Sequence, residues 1–285
     1  MPTTVKSAMK LLRWKMRRTR AMMRWGSGEL QLMPIVIGNS MPKSGSHLII
    51  QILEGLPEIG PFVNPGVPPL NRDEENTIQP PESILRNIKR LAPGDFTYCY
   101  LKAVEPFLSE LIKPGYAPIF VYRDPRDMII SHVFYATQMN MVHNMHRYYT
   151  EVLKTMEERI NAAIQGVEDE NSPLSGIALK YSRYMGWLSQ PSVLSLRFEE
   201  LILEKDQAIN KILDQLAGHG FVPRISRSEA VHKMKLSIEP KRSGTFRKGQ
   251  PGNWREHFTD ANKEFFKNQA GDLLQRLGYE KDQDW

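Results

Sequence analysis

The chain has 285 residues, 41% of them apolar, and a formal net charge of +6. This length and apolar content are enough for one large domain with a sizeable core, and they exclude a low-complexity or disordered chain. Its single cysteine, Cys99, excludes an internal disulfide, and no apolar run approaches the roughly 20 residues that a membrane span needs.

The first 25 residues predict a basic amphipathic helix. They carry +8 and no acid, against +6 for the whole chain, which leaves the remaining residues at −2. Basic residues recur at alternating spacings of four and three, which places them on one stripe of a helix. The stripe comprises Lys6, Lys10, Arg13, Arg17, Arg20 and Arg24.

Several functions fit this helix, and we favour contact of residues 1–25 with an anionic membrane surface. An organelle-targeting peptide, a nucleic-acid arm and a helix packed on the domain are the alternatives. Charges interrupt every apolar run here, so we expect neither a signal peptide nor a span. We therefore predict a helical segment at 1–30, one domain at 31–285, a cytoplasmic protein that is peripheral at the membrane, and no nucleic-acid partner.

The segment from Ile35 to Ile50, IVIGNSMPKSGSHLII, predicts a strand, a polar loop and the start of a helix. The first backbone N–H groups of a helix lack intrahelical acceptors, and the helix dipole favours an anion there. The four amides expected in this position belong to Ser44, Gly45, Ser46 and His47. Lys43 adds a full positive charge, so the segment predicts a phosphate-binding loop. The lysine precedes Gly45, which departs from the order GxxxxGK[ST] of a Walker A loop.

A second segment, APIFVYRDPRDMIIS from Ala117 to Ser131, predicts a strand that ends at Arg123. Asp124 and Pro125 are typical of a helix N-cap and first helical position. Ser131 lies eight residues after Arg123, about two helical turns on, and is placed to face the same ligand. The alternative is that Arg123 simply pairs with Asp127.

A third segment, FRKGQPGNWREHFT from Phe246 to Thr259, combines two glycines with basic residues ahead of a helix. Arg247 and Lys248 supply two cations, and Gly249 supplies an N–H group that no side chain obstructs. The segment predicts a second anion-binding loop.

Apolar strand patterns alternate with longer helical patterns along the chain, which predicts an α/β fold with a central parallel sheet flanked by helices. Strands are expected at 35–38, 97–104, 119–123 and 193–198. Helices are expected at 47–55, 82–91, 105–113, 126–139, 146–165, 177–189, 199–217, 227–236 and 260–277. Ligands of such folds bind beyond the carboxyl ends of the strands, where Lys43 and Arg123 both fall.

The three motifs together resemble those of the sulfotransferases that use 3′-phosphoadenosine 5′-phosphosulfate (PAPS). PKSGS resembles their 5′-phosphosulfate loop, YRDPRDMIIS their 3′-phosphate motif YRxPxDxxxS, and RKGQPGNW their signature RKGxxGDW, with Asn253 where aspartate is usual. All three occur in the family order across residues 35–259. The resemblance implies a P-loop NTPase-like sulfotransferase fold, PAPS as co-substrate, no metal, and transfer to an acceptor hydroxyl or amine.

The resemblance also implies residue roles. Lys43 would serve the leaving group, Ser131 would hold Lys43 until the acceptor arrives, and Lys102 would lie near the transferring sulfuryl group. The nucleotide's phosphates would be bound by Lys43, Ser44, Gly45, Ser46, His47, Arg123, Ser131, Arg247, Lys248 and Gly249. Leu48 replaces the tryptophan that follows the loop in cytosolic-type members, so Phe246 or Trp254 is expected to stack on adenine.

The general base is the residue for which this sequence departs most from the cytosolic-type pattern K-x-H. Val104 stands where that histidine would fall, and valine cannot take a proton. Glu105 is the nearest acceptor, and a half-closed pocket would raise its pKa toward the working range. Two alternatives remain open. Glu105 only caps the following helix, or the base is His47 or His132.

Two other classes of function remain open at this level. A P-loop nucleotide kinase would require Mg²⁺ and an acidic ligand at a strand end. A non-catalytic nucleotide-binding, membrane-associated protein would explain Val104 and the basic helix. The acceptor, whether a small molecule, a lipid or a carbohydrate, is not encoded in any motif, and neither is the oligomeric state.

Overall fold

A computed structural model describes residues 3–242 and 249–285. The chain forms two compact units, each with its own set of contacts. Unit 1 comprises Met1–Tyr122 and Gly186–Ser243, and unit 2 comprises Arg123–Met185 and Gly244–Trp285.

The secondary structure of the described residues alternates between helices and strands. The strands are β1 (Ile35–Ser40), β2 (Phe96–Cys99), β3 (Tyr116–Tyr122), β4 (Gly166–Val167), β5 (Leu174–Ser175) and β6 (Leu194–Arg197). The helices are α1 (Thr3–Trp25), α2 (Ser27–Leu32), α3 (Ser46–Leu53), α4 (Pro81–Lys89), α5 (Phe107–Leu111), α6 (Pro125–Phe134), α7 (Met156–Gln165), α8 (Ile177–Met185), α9 (Phe198–Leu203), α10 (Lys205–Gly218), α11 (Arg227–Leu236), α12 (Asp260–Ala270) and α13 (Leu273–Arg276). Short 3₁₀ turns lie at Leu56–Glu58, Gly186–Ser189, Pro240–Arg242 and Asn253–Glu256, and π-helical turns at Tyr135–Met139 and Tyr148–Val152.

Unit 1 is built around a four-stranded parallel sheet with the strand order β2-β1-β3-β6. Ile37 of β1 is in register with Thr97 on one side and Pro118 on the other. Every residue of β1 is buried, as expected for a parallel strand covered on both faces. The predicted α/β fold with a central parallel sheet is therefore confirmed, and the carboxyl ends of the four strands share one edge.

The core of unit 1 lies between this sheet and helices α3, α9, α10 and α11. Helix α10 contributes four apolar side chains that are fully buried, Ile209, Ile212, Leu213 and Leu216. Burying each such side chain contributes about 1.5–3 kcal/mol, so this face fixes the helix on the sheet.

Unit 2 is helical, with one short hairpin formed by β4 and β5. Helix α7 packs against both α6 and α12. Its core includes the buried side chains of Ile160, Ile164, Tyr181 and Phe266.

Several predicted helices are split, and a local side-chain cap explains one of the splits. The helix expected at 146–165 is interrupted because Thr155 and Glu158 form a capping box that starts α7 at Met156. The helix expected at 126–139 ends at Phe134 and continues as a π-helical turn. The helix expected at 199–217 is divided at Glu204, whose backbone leaves the helical region.

The strand expected at 97–104 is also too long, since β2 ends at Cys99. Beyond it, the side chain of Asn39 accepts from the N–H of Leu101 at 2.8 Å and donates to its carbonyl at 2.9 Å. A side chain thus takes the place of the strand ladder, and the segment turns away from β1.

Helix α1 packs on unit 1, which is one of the arrangements left open by the sequence. Trp14 and Arg18 both donate to the buried carboxylate of Asp95, at 3.1 and 2.8 Å. Arg17 donates to the carbonyl of Pro65 at 2.8 Å, and Lys10 forms an ion pair with Glu74. Among the residues described, no helix has the length and apolar character needed to cross a membrane.

Candidate functional site

The phosphate-binding loop predicted at 42–46 lies between β1 and α3. Lys43 and Gly45 both have positive φ, +68° and +98°. A Cβ on Gly45 would lie only 2.6 Å from Cδ2 of Phe198, so the position requires glycine for its backbone conformation and for space. The turn that carries Lys43 is therefore defined by both local backbone and packing.

Of the four backbone amides expected to bind an anion, that of Ser44 has another partner. The N–H of Ser44 donates to the carbonyl of Met41 at 3.1 Å, so it is used by the turn itself. Helix α3 begins at Ser46 with Gly45 as its N-cap, and no side chain caps it. The N–H of Leu48 already donates to the carbonyl of Gly45 at 2.9 Å, so the N–H groups of Ser46 and His47 are the donors that an anion would meet at this helix start.

Two buried hydroxyl groups accompany the loop. The Oγ atoms of Ser40 and Ser44 have no hydrogen-bond partner among the described residues, although both residues are fully buried. A buried hydroxyl without a partner is costly, and a bound anion would supply the missing acceptor. Ser44 thus fits a binding role through its hydroxyl rather than through its amide.

His47 is half-buried in the first turn of α3. Burial lowers its pKa from the usual value of 6.5, and the charge of Lys43 lowers it further. The imidazole is therefore neutral at pH 7, with one nitrogen available to donate and one to accept.

The segment after β2 is held against the loop within unit 1. The hydroxyl of Tyr100 donates to Oγ of Ser46 at 2.9 Å, and the indole N–H of Trp187 donates to the carbonyl of Leu101 at 2.8 Å. Lys102 follows directly and its side chain is exposed. These two contacts hold the segment just before Lys102, and the role of Lys102 near the sulfuryl group stays a prediction.

Glu105 does not lie in the half-closed pocket that the argument for a raised pKa required. Its side chain is exposed, and its carboxylate accepts from the N–H and the hydroxyl of Ser109. These contacts are those of a residue capping the start of α5, the alternative that the sequence left open. Its role as general base stays a prediction.

In unit 2, Arg123 lies two residues before the start of α6. Asp124 caps that helix by accepting from the N–H of Arg126 at 2.9 Å, and Pro125 is its first residue, as predicted. The guanidinium of Arg123 lies 3.6 Å from Oδ2 of Asp127, and its carbonyl accepts from Tyr181 at 2.6 Å. The Arg123–Asp127 pair considered from the sequence is present.

Ser131 and His132 lie two turns into α6. Ser131 is half-buried, and His132 is buried with its ring edge-on to those of His143 and Tyr149. This packing identifies His132 as part of an aromatic cluster, which argues against its use as the base.

The third motif is described from Gly249 onward, so Arg247 and Lys248 lie outside the described residues, as does Phe246. Gly249 and Gly252 have positive φ, +61° and +81°. The N–H groups of Gly252 and Trp254 donate to the carboxylate of Asp127 at 2.7 and 2.8 Å. The motif is therefore fixed to the start of α6 by a single carboxylate.

Phe246 and Trp254 were the two rings expected to stack on adenine, and the packing of Trp254 speaks against it as the stacking ring. The ring is 4% exposed, and the guanidinium of Arg126 covers it at 3.9 Å from the centroid. Arg126 also lies 4.5 Å from the ring of Trp285, and it forms ion pairs with Asp124 and Glu280 at 2.7 and 2.6 Å. Trp254 is thus a packing residue.

Sequence reasoning missed three residues that hold the motifs in place, Asn39, Tyr100 and Arg126, and it missed the contacts of Asp127 with Gly252 and Trp254. The signal for Asn39 was an amide side chain at the end of a buried strand, where an unpaired polar group would be costly. No group of three or more His, Cys, Asp or Glu side chains in the described part of the chain is arranged to bind a metal.

Comparison with known proteins agrees with this architecture. Residues 35–278 match the model of the sulfotransferase domain. A curated relative, the 3-alpha-hydroxysteroid sulfotransferase of Cavia porcellus, is 28% identical over 166 residues, which is 52% of this chain and 52% of that protein. The chain thus spans about half the length of that relative.

Two solved structures share the fold. Mouse sulfotransferase SULT7A1 complexed with PAP superposes with a TM-score of 0.60 at 16% identity, covering 90% of each chain. Retinol dehydratase in complex with androsterone and inactive cofactor PAP superposes with a TM-score of 0.56 at 13% identity, covering 87% of this chain and 83% of that one. With a family model that extends from β1 past α13, and with the same fold in both relatives, the chain belongs to the sulfotransferase domain family.

Proposed function

We propose that this protein transfers the sulfuryl group of PAPS to an acceptor hydroxyl or amine. The observation that carries the proposal is the loop at 42–46, where a positive-φ Lys43 and a sterically required Gly45 precede a helix without a side-chain cap. Family membership supports it, as do fold relatives that were solved with PAP, the product that PAPS leaves after transfer.

In the proposed reaction the acceptor oxygen or nitrogen attacks sulfur in line with the bond to the 5′-phosphate. The S–O bond to that phosphate breaks, the acceptor proton passes to a base, and adenosine 3′,5′-bisphosphate leaves. Catalysis rests on positioning and on neutralising the charge that builds on the bridging and sulfuryl oxygens. Lys43 serves the bridging oxygen and Lys102 the sulfuryl oxygens.

The remaining roles follow the same resemblance. The helix-start amides and the Ser44 hydroxyl bind the 5′-phosphosulfate, while Arg123, Arg247, Lys248 and Gly249 bind the 3′-phosphate. Ser131 holds Lys43 until the acceptor arrives. Glu105 takes the acceptor proton, and it must give up its contact with Ser109 to do so.

Labelled PAPS incubated with small-molecule, lipid and carbohydrate acceptors tests the proposal. We expect sulfated product from the wild-type protein and none from Lys43→Ala. Binding of PAP and of ATP·Mg²⁺, measured by calorimetry, separates the transferase from a nucleotide kinase. Tighter binding of ATP·Mg²⁺ would refute the transferase, whereas PAP binding without product from any acceptor class would favour a non-catalytic protein.

Loss of turnover in Glu105→Gln, with Ser109→Ala as the matched control, tests the base. The control removes the contact that Glu105 makes in the structure but leaves its carboxylate in place. Activity in Glu105→Gln would favour His47 as the general base instead, because its lowered pKa keeps it neutral and able to accept a proton.

We also propose that the acceptor is a small apolar alcohol of the lipid class, met by a cytoplasmic protein at a membrane. A steroid sulfotransferase among the relatives supports an apolar acceptor. Residues 1–30 would form the membrane-contacting segment and 31–285 the transferase domain.

The outward face of α1 supports membrane contact. Trp14, Arg17 and Arg18 face unit 1, so the opposite side of the helix faces solvent. On that side Leu12, Met16 and Met23 form an apolar stripe and are 59%, 47% and 82% exposed. An exposed apolar stripe of this kind marks an interaction surface.

Exposed basic residues border this stripe. At 100° per residue Arg13 and Arg20 lie on one side of it and Lys15 on the other. Each contributes about 1 kcal/mol near an anionic surface, so the three together favour binding in the plane of the membrane interface.

Sedimentation with phosphatidylserine-containing vesicles tests this contact. The variant Leu12→Ser/Met16→Ser/Met23→Ser should bind at least about tenfold more weakly than wild type, because it removes the inserted apolar area. The matched control Leu203→Ser/Val222→Ser/Leu236→Ser removes side chains of similar exposure elsewhere in unit 1 and should bind normally. Equal binding of both variants would refute the membrane contact.

A further inference from the structure

Asp127 joins two of the motifs within unit 2. It lies in the first turn of α6, four residues after Arg123, and is 2% exposed. Its Oδ2 accepts from the N–H of Gly252 and its Oδ1 from the N–H of Trp254. Both carboxylate oxygens are thus engaged by a loop that lies 125 residues further along the chain.

The carboxylate also attracts Arg123. The distance of 3.6 Å from the Arg123 guanidinium to Oδ2 is that of an ion pair longer than a charge-assisted hydrogen bond. Asp127 therefore orients the guanidinium of Arg123 by charge attraction.

The groups around Asp127 shift its pKa in opposite directions. Burial raises the pKa of Asp127, while the charge of Arg123 and the N–H groups of Gly252 and Trp254 act in the opposite direction. Two backbone donors and one cation thus offset part of the effect of burial, and the pKa of Asp127 stays raised on balance.

The loop is anchored at this point by its backbone. Gly252 adopts φ +81°, a conformation that favours glycine, and its N–H donates to Asp127. Trp254, the next anchored residue, is covered by Arg126. The backbone from Gly252 to Trp254 is therefore fixed relative to Arg123.

We propose that Asp127 is a positioning residue for the nucleotide's 3′-phosphate, acting through Arg123 and the 249–254 loop. The inference rests on the proposed function, because the resemblance assigns the 3′-phosphate to Arg123, Ser131, Arg247, Lys248 and Gly249, the last of which begins this loop. Asp127 itself does not touch the phosphate, since two anions would repel each other. Its function is to hold the cation and the loop in place before the nucleotide arrives.

The test compares PAP with 5′-AMP, which lacks the 3′-phosphate, by calorimetry on the full chain. Wild type should prefer PAP, and Asp127→Asn should lose about tenfold or more of that preference while binding 5′-AMP as wild type does. Arg123→Ala should lose the same preference. Failure of wild type to bind PAP would instead refute the proposed function.

Asn262→Ala is the matched control for loss of a buried polar group in unit 2. Asn262 is fully buried and donates to the carbonyl of Glu157 and the side chain of Asn161, away from the motif. It should lower the melting temperature but keep the PAP preference. An Asp127→Asn protein that binds both nucleotides more weakly by the same factor, or neither more weakly, would overturn the proposal.

Amide hydrogen exchange on the wild-type protein provides a test that does not depend on a folded variant. If Asp127 positions the loop in advance, the N–H groups of Gly252 and Trp254 are protected without nucleotide. Rapid exchange there that slows only when PAP is added would also overturn the proposal.

Discussion

Gly45→Ala is expected to lower the free energy of unfolding by about 2–5 kcal/mol. An alanine held at φ +98° costs about 1–2 kcal/mol, because its Cβ crowds the carbonyl oxygen in the left-handed region. The same Cβ would lie 2.6 Å from Cδ2 of Phe198, and displacing that buried ring adds about 1–3 kcal/mol. PAP affinity should fall with stability, since relief of the clash moves the loop that carries Lys43.

Urea unfolding measures the loss, with Gly28→Ala as the control. Gly28 is helical and has open space around its Cβ position, so alanine there should stabilise by about 0.5–1 kcal/mol. A double-mutant cycle separates the two costs. In a Phe198→Leu background, Gly45→Ala should lower the free energy of unfolding only by the cost of the backbone conformation. A Gly45→Ala protein within about 0.5 kcal/mol of wild type would refute the reasoning.

Three further predictions concern Lys43, His47 and Asp95. Lys43→Ala should abolish turnover with labelled PAPS but retain more PAP affinity than Arg123→Ala. Weaker PAP binding by Lys43→Ala than by Arg123→Ala would contradict the roles proposed for the two residues. Because the pKa of His47 is lowered from 6.5, the folded protein takes up this proton less readily than the unfolded chain. Unfolding free energy should then fall as pH drops through about 6.5, and the pKa should rise in Lys43→Ala; an unchanged NMR titration of His47 in that variant would contradict this. Asp95→Asn should cost about 3–5 kcal/mol and expose α1 to trypsin, since it leaves Arg18 without its buried partner; unaltered cleavage would show that other contacts hold the helix.

The sheet was predictable because its strands are short apolar runs separated by longer helical patterns. β1 begins at Ile35 as expected, and α11 has the expected bounds, Arg227–Leu236. Helix lengths were less predictable. Thr155 and Glu158 form a side-chain capping box that competes with continuation of the apolar pattern, and such a cap decides a helix boundary more strongly than periodicity does.

The candidate site was predictable as three motifs but not as a set of contacts. Sequence spacing identifies Lys43 and Arg123 because they follow strands. It does not show that the amide of Ser44 is used by its own turn, or that Trp254 lies under Arg126. These are tertiary pairings, and no local propensity encodes which distant group a buried polar atom meets.

The basic residues of helix α1 lie in two environments, one buried and one exposed. Raising the salt concentration should weaken the interactions of the exposed residues only. Arg18 pairs with a buried carboxylate, whereas Arg13, Lys15 and Arg20 are exposed. The Debye length falls from about 10 Å at 0.1 M salt to about 3 Å at 1 M, which screens the exposed charges and leaves the buried pair nearly unchanged. Raising salt should therefore release the protein from anionic vesicles while α1 stays protected from trypsin. Loss of both together would mean that packing of α1 depends on the exposed charges, and the assignment of its two faces would be wrong.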